Sequence, residues 1–410
     1  MQMAKMVILG AGASRACPNT DPGLPMPLLC DLPAVLTRAN PKTSYHLLAQ
    51  YLNSLLEKTG GDIELLLTLL YRLNESFFLP RRQYTLEAEF ISQIIASSAL
   101  PEVFTNLPDA EMATAILEIL RKLAADNPGA AVTTFSPANF FNMFQGVLRD
   151  YFYASFQRYP CPLHLRLFQS LGRVDCLVSF NYDEIADYSL YSAGKLTRRS
   201  FEGLGFDEII LPSRRVVPAA TPVPLGRELC ELAEDRMNGV KFLKVHGSFN
   251  WYGRVNETGH SRDDWTYPVG SPPLLRQSIK GGPEVRYCLG TPGATVSCDN
   301  WTASPIIFPF LAKESIYRAN AMFARHLVAF QHELRAVDKI ILVGKSFQNA
   351  DRELNGMIRY ATYGKANRVL DIVDPNRNPD FESFHRSLFN ADSGRRYTSF
   401  EEYSCLCGTE

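Results

Sequence analysis

The 410-residue sequence holds no repeated Cys-x-x-Cys and no histidines at finger spacing among its nine cysteines, at 17, 30, 161, 176, 230, 288, 298, 405 and 407. A zinc module of the usual kind is therefore not encoded, and no metal is expected. An odd, dispersed set of thiols fits a reducing compartment. No apolar run reaches the roughly 18 residues a membrane span requires, and the run before Gly10 is too short for a signal-peptide core. A cytoplasmic protein is the expectation. An excess of one charge is missing too: 42 Lys and Arg oppose 43 Asp and Glu, a net −1 with pI near 6.7. No global positive field would draw the chain onto phosphate backbones. The pairs Arg81-Arg82, Arg198-Arg199, Arg214-Arg215 and Arg395-Arg396 are scattered and read as solvated faces or local ion pairs. Direct nucleic-acid binding is not expected. Internal repeats and low-complexity runs are also lacking.

What is present suits a globular protein of two or three units: 46% hydrophobic residues against 21% charged are too apolar for extended disorder. Short apolar, β-branched runs recur at 6–9, 174–179, 242–245, 305–310, 340–343 and 369–373. Several are continuous rather than alternating, as in strands buried on both faces of a parallel sheet. With helical segments between them, they predict an α/β fold with a doubly wound, mainly parallel sheet. From about 43 to 158 the texture changes to helix-period segments at 45–57, 62–73, 85–99, 109–124 and 137–157. These predict a helical insertion, its apolar stripes read as packing. The Gly- and Pro-rich stretches 192–240 and 254–304 read as long loops, the second a candidate lid.

Gly10-Ala11-Gly12-Ala13-Ser14 follows Val7-Ile8-Leu9, so the first strand ends in a glycine-rich turn that suits a pyrophosphate. A tight turn is the bland alternative. An ordinary dehydrogenase would add a third glycine and an acid about 20 residues on. Here position 15 is Arg, and Asp31 sits beside prolines. Asn181 and Asp183 follow the run ending at Ser179, and His246 follows Phe242-Leu243-Lys244-Val245. An open α/β sheet places its ligands at such strand ends. Asn and Asp are also common turn formers, and a lone histidine is equally a structural residue. Further on, 339–351 reads as a strand followed by Gly344-Lys345-Ser346, and 369–376 as a last strand ending at Asp374-Pro375-Asn376.

Taken in order, these pieces resemble the Sir2 superfamily: the Gly-Ala-Gly-x-Ser turn, Gly23-Leu24-Pro25, Asn181-Tyr182-Asp183, His246-Gly247-Ser248, the Ser304–Pro309 segment and Gly344-Lys345-Ser346. The resemblance spans nearly the whole chain except the helical insertion. Sirtuin deacylases carry two Cys-x-x-Cys pairs after the histidine, which 249–304 lacks. Tyr182 between Asn and Asp, with the long insertion, looks more like the bacterial Sir2-like NAD hydrolases of anti-phage defence, including the partner of a HerA-type ATPase.

The resemblance implies a Rossmann-like, Sir2-like fold and an enzyme that cleaves NAD, its substrate, between nicotinamide and ribose. It further implies that Gly10, Ala11, Gly12 and Ser14 cradle the pyrophosphate, that Asp183 holds the nicotinamide amide, and that Asn181 positions the ribose and the attacking water. His246 would be the general base, Gly344 and Ser346 would touch the adenylate side, and Asp374 or Asn376 the adenosine ribose. An NAD-dependent deacylase and a non-catalytic NAD or ADP-ribose sensor are the alternatives. A homo-oligomer is expected, because an ungated NAD hydrolase would drain its cell.

Overall fold

A computed structural model of the chain describes residues 3–20, 24–37, 159–206, 239–254, 321–347, 351–365 and 367–407, the short stretches 151–152, 154–156, 208–210, 265–266, 277–278, 285–289 and 301–302, and positions 56, 63, 64, 67 and 148. Six strands, β1 (Lys5–Leu9), β2 (Cys176–Ser179), β3 (Lys241–Lys244), β4 (Lys339–Val343), β5 (Val369–Val373) and β6 (Arg396–Tyr397), form one sheet. Its order is β6-β5-β4-β1-β2-β3, and every pair is parallel. The doubly wound parallel sheet expected from the continuous apolar runs is thus present, with the strand order 3-2-1-4-5-6 of dinucleotide-binding folds. Met6, Val7, Ile8 and Leu9 of the central β1 are completely buried, as strands covered on both faces must be. The 305–310 run lies outside the described residues.

Register aligns the strand ends. Leu9 pairs with Ser179 and Val343, Ser179 with Lys244, Val343 with Val373, and Val373 with Tyr397. One row across the sheet thus ends all six strands, and each successor residue begins its loop at the same edge. The ladder continues one step further: the amides of Gly10, Phe180, Val245, Gly344 and Asp374 donate to Val343, Leu9, Ser179, Val373 and Tyr397. The chain runs outward from β1 to β3, then crosses back to place β4 on the other side of β1. Between β1 and β4 lies the topological switch point.

The described α-helices are α1 (Ala11–Arg15), α2 (Leu32–Thr37), α3 (Pro162–Gln169), α4 (Ile185–Ser192), α5 (Arg198–Phe201), α6 (Ala321–Ala336), α7 (Arg352–Thr362), α8 (Pro379–Phe389) and α9 (Phe400–Leu406). Local chemistry sets their ends. Pro162 and Pro379 occupy first-turn positions, where a missing N–H costs nothing. Asn378 caps α8 through the amide of Asp380, and Asn390 ends it in the left-handed region at φ 48°. Leu354, Ile358 and Ala361 form the buried stripe of α7. The fully buried Arg368 donates to the carbonyls of Leu334, Val337 and Phe389, satisfying carbonyls at the C-terminal ends of α6 and α8 that have no partner within their helices.

The chain divides into two compact units. The first, Met1–Leu28, Phe152–Ile307 and Lys313–Glu410, contains the sheet. Among its described residues the second, Leu29–Tyr151 with Phe308–Ala312, includes a 3-10 turn at Leu29–Asp31, α2, and the buried Leu56, Ile63, Leu67 and Leu148. Of the expected helical insertion at 43–158, only positions 56, 63, 64, 67, 148, 151–152 and 154–156 are described, and the others lie outside the described residues. The expected loop at 254–304 is not wholly loop. Within the first unit, Trp251–Arg254 pairs antiparallel with Val285–Cys288 and Trp301–Thr302, Glu208–Ile210 adds to the sheet edge, and Trp265–Thr266 pairs with Gln277–Ser278. Strands of two to four residues are too short to print an alternating pattern.

Candidate functional site

The turns after β1 and β4 are built against each other. Gly10 donates its amide to Val343 O at 2.9 Å and Gly12 donates to Gly344 O at 3.0 Å. A Cβ on Gly10 would stand 2.5 Å from Gly344 O, and one on Gly12 2.8 Å from Gly344 Cα. Gly344 itself has φ +57°, and its Cβ would meet Ala13 N at 2.5 Å. All three glycines are demanded by backbone meeting backbone. The amides of Gly10 and Gly12, expected to face a pyrophosphate, are committed to this packing. Ala11, Gly12, Gly344, Lys345 and Ser346 are half-buried and form its rim, while Gly10 and Ser14 are buried.

Beside this junction lies the loop after β2. Asn181 Nδ2 donates to Gly10 O and to Ser14 Oγ, both at 2.8 Å. A carbonyl can only accept, so Gly10 fixes which way the Asn181 amide points and leaves Oδ1 as the acceptor that faces outward from this network. Ser14 passes its own hydrogen bond to Asp183. Asp183 Oδ1 also accepts from Ile185 N at 3.0 Å, the turn-forming role expected of a strand-end Asp. Burial pushes the Asp183 carboxyl above its ordinary range, against the attraction of Lys244 and these hydrogen bonds.

The loop after β3 supplies His246, only 6% exposed. Its ring lies edge-on to Phe180 at 5.0 Å and stacks on Tyr182 at 6.3 Å. Its Nε2 is 4.0 Å from Asp351 Oδ1. The other Asp351 oxygen holds Lys345 Nζ at 2.6 Å, and that ammonium stands 4.9 Å from the ring centroids of both Phe180 and Phe347.

Beneath both loops sits a buried cation. Lys244, 1% exposed, donates to Asp183 O and Asp187 Oδ2, each at 2.7 Å, and to Ser248 Oγ. Ser248 Oγ donates to Tyr182 O at 3.1 Å, and Phe249 N to the same carbonyl at 2.9 Å. Asn250 Nδ2 holds Asp187 Oδ1 at 3.0 Å. One ammonium thereby ties the Asn181–Asp183 loop to the His246–Ser248 loop. From behind, His326 Nδ1 accepts the Lys244 amide at 3.2 Å. Burial, with Lys241 and Lys244 nearby, pushes the His326 imidazole down to about 3, so it is neutral.

At the end of β5, Asp374 Oδ1 accepts from Asn376 N, Asn376 Oδ1 from Asn378 N, and Asn378 Oδ1 from Asp380 N, at 2.8, 3.0 and 2.9 Å. Asp374 and Asn376 therefore shape the entry to α8, on the same sheet edge as the other candidates. His385 braces the neighbouring turn: its Nδ1 donates to Phe381 O at 2.6 Å and its Nε2 accepts from Phe347 N at 3.5 Å.

The structure thus brings Gly10, Ala11, Gly12, Ser14, Asn181, Asp183, His246, Gly344 and Ser346 to one edge, with Asp374 and Asn376 at its exposed flank. Sequence reading missed Lys345, Asp351 and the Lys244–Asp187 pair as site residues. Lys244 did leave a signal, since a lysine inside the apolar run Phe242-Leu243-Lys244-Val245 needs a buried partner. Among the described residues no cluster of three or more His, Cys, Asp or Glu could hold a metal ion, and no helix is long and apolar enough to cross a membrane.

No family model and no curated protein matches the chain. Among solved structures it is similar to a Sir2 homologue mutant described in complex with ADP-ribose, at 12% identity and a TM-score of 0.29, over 84% of this chain and 95% of that one.

Proposed function

We propose that the chain is an NAD glycohydrolase, cleaving the bond between nicotinamide and ribose to give nicotinamide and ADP-ribose. The observation behind this reading is the tie between the Asn181 and His246 loops, held together by Lys244 beside the paired glycine turns at the switch point. The motif order Gly-Ala-Gly-x-Ser, Asn-x-Asp, His-Gly-Ser supplies the substrate.

The reaction adds water across the glycosidic bond. Hydroxide equivalent goes to the ribose C1′, nicotinamide leaves as a neutral base, and one proton is released. An oxocarbenium-like transition state needs polar groups placed in advance. Asn181, its two amide hydrogens fixed by Gly10 and Ser14, would turn Oδ1 toward the water or a ribose hydroxyl. His246 would take the proton, an imidazole being suited to that near neutrality. Asp183 would meet the nicotinamide amide, its neutral form able to donate and its ionised form to accept. The half-buried rim at Ala11 and Gly12 would take the pyrophosphate, with the buried Gly10 and Ser14 shaping it from beneath, Gly344 and Ser346 would touch the adenylate side, and Asp374 or Asn376 the adenosine ribose. The same reading extends to a cytoplasmic, NAD-depleting effector of anti-phage defence, acting as a homo-oligomer or with a HerA-type ATPase, and needing no metal.

Incubation of the purified chain with NAD, with products separated by chromatography, tests the reading. Asn181→Ala and His246→Ala should each lower turnover about a hundredfold or more. Folded variants that match the parent rate would remove both residues from the mechanism. Release of an acyl group from acyl-lysine peptide would favour the deacylase, and binding of NAD without products the sensor.

A further inference from the structure

Asp351 occupies the N-cap of α7 yet makes no side-chain cap bond. A carboxylate there ordinarily accepts from the first amides of its own helix. Asp351 instead points its Oδ2 at Lys345 Nζ, 2.6 Å away, and its Oδ1 at His246 Nε2, 4.0 Å away, while only 5% exposed. Phe180 lines the same junction, its ring 5.0 Å from the imidazole and 4.9 Å from the Lys345 ammonium. A buried carboxylate that forgoes its helix for a cation and an imidazole is placed for those two groups.

We propose that Asp351 is the positioning carboxylate of His246, and that Lys345 sets how strongly it acts. The proposal rests on the reading of His246 as the base. Nε2 is the ring nitrogen nearer Asp351, at 4.0 Å still short of a hydrogen bond; closing that gap would seat the ring proton on Nε2 and give Nδ1 the role of receiving one from water or a ribose hydroxyl. Proton transfer then makes an imidazolium facing an ionised carboxylate, and Asp351 itself stays ionised. An opposite charge at this range favours the charged imidazole. Lys345 opposes it twice, by its own positive charge and by occupying the second carboxylate oxygen. Among the described residues, the other charged groups of these loops are otherwise engaged: Lys244 at the end of β3 points to Asp187, and Asp183 on the β2 loop bonds Ser14 and the Ile185 amide.

Opposite signs follow for two nearly isosteric changes. Asp351→Asn should lower the His246 pKa by on the order of one pH unit, and Lys345→Met should raise it by a similar amount. The measurement is an NMR pH titration of the full chain labelled with 15N-histidine. His246 is assigned by its loss in His246→Gln, and melting confirms that each variant folds. The parent should show the tautomer protonated at Nε2. If Asp351→Asn does not fold, the upward shift in Lys345→Met alone decides. Shifts of the same sign in both variants, or an unmoved imidazole, overturn the proposal. In parallel, the rising limb of NAD cleavage against pH should move with the imidazole. Opposite NMR shifts in a parent that leaves NAD intact would keep the pairing and remove the hydrolase reading.

Discussion

The Gly12 amide donates to the Gly344 carbonyl across 3.0 Å, making the turns after β1 and β4 a single piece of structure. The two residues are more than three hundred positions apart, and each lacks a side chain because the other is there. Gly344→Ala meets a left-handed φ of +57° and a backbone nitrogen 2.5 Å from the new Cβ, and should cost at least about 2 kcal/mol. Gly356, inside α7 with nothing within 4 Å of a built Cβ, supplies the contrast: Gly356→Ala should stabilise by about 0.5–1 kcal/mol. Urea unfolding of both decides, and equal effects would mean that the turns do not brace each other.

The sheet was legible because burial on both faces writes itself as unbroken apolar runs, which Val7-Ile8-Leu9 and Ile340–Val343 display. Arg396–Tyr397 was not, being two residues long. Asn181 and His246 could be picked out because their strands end just before them. Lys345 and Asp351 form a pair only once α7 places its N-cap, and nothing in local sequence says that an N-cap carboxylate will turn away from its helix. His326 is similar: its neutrality comes first from burial and then from Lys241 and Lys244 on a strand distant in sequence, and both arise only in the folded chain.

His326 predicts an acid sensitivity. An unfolded histidine takes its proton near 6.5 while the buried one resists until about 3. Between those limits the unfolded chain binds one more proton, so stability falls as pH falls, by about 1.4 kcal/mol per unit. His326→Gln keeps an acceptor for the Lys244 amide and removes that proton. Its stability should therefore fall less steeply than the parent's between pH 6 and pH 4. Parallel slopes in urea titrations would show that the imidazole is not held neutral.

Asp183 predicts the opposite coupling of stability and function. Burial raises its carboxyl above 3.8, so the unfolded chain ionises first and stability declines as pH rises through the interval between the two values. Asp183→Asn still offers Oδ1 to Ile185 N and to Ser14. Its melting temperature relative to the parent should rise more at pH 7 than at pH 4, while NAD cleavage falls. A variant that melts lower at pH 7 would mean that attraction to Lys244 outweighs burial.

Lys244 should test whether fold and site share one support. Its ammonium lies 2.7 Å from Asp187, with both side chains essentially buried, and removing one member of such a pair leaves the other charge stranded. Lys244→Met alone should cost about 3–5 kcal/mol, and Lys244→Met with Asp187→Leu much less, since no uncompensated charge remains. Stability is then restored without restoring the bonds from Nζ to Asp183 O and Ser248 Oγ that hold the two loops together. Turnover per folded chain should stay low in the double variant, with kcat falling more than KM rises, because misplacement of Asn181 against His246 acts on the transition state. A double variant with both parent stability and parent kcat would show that the loops keep their places without the lysine, and that Lys244 serves the fold alone.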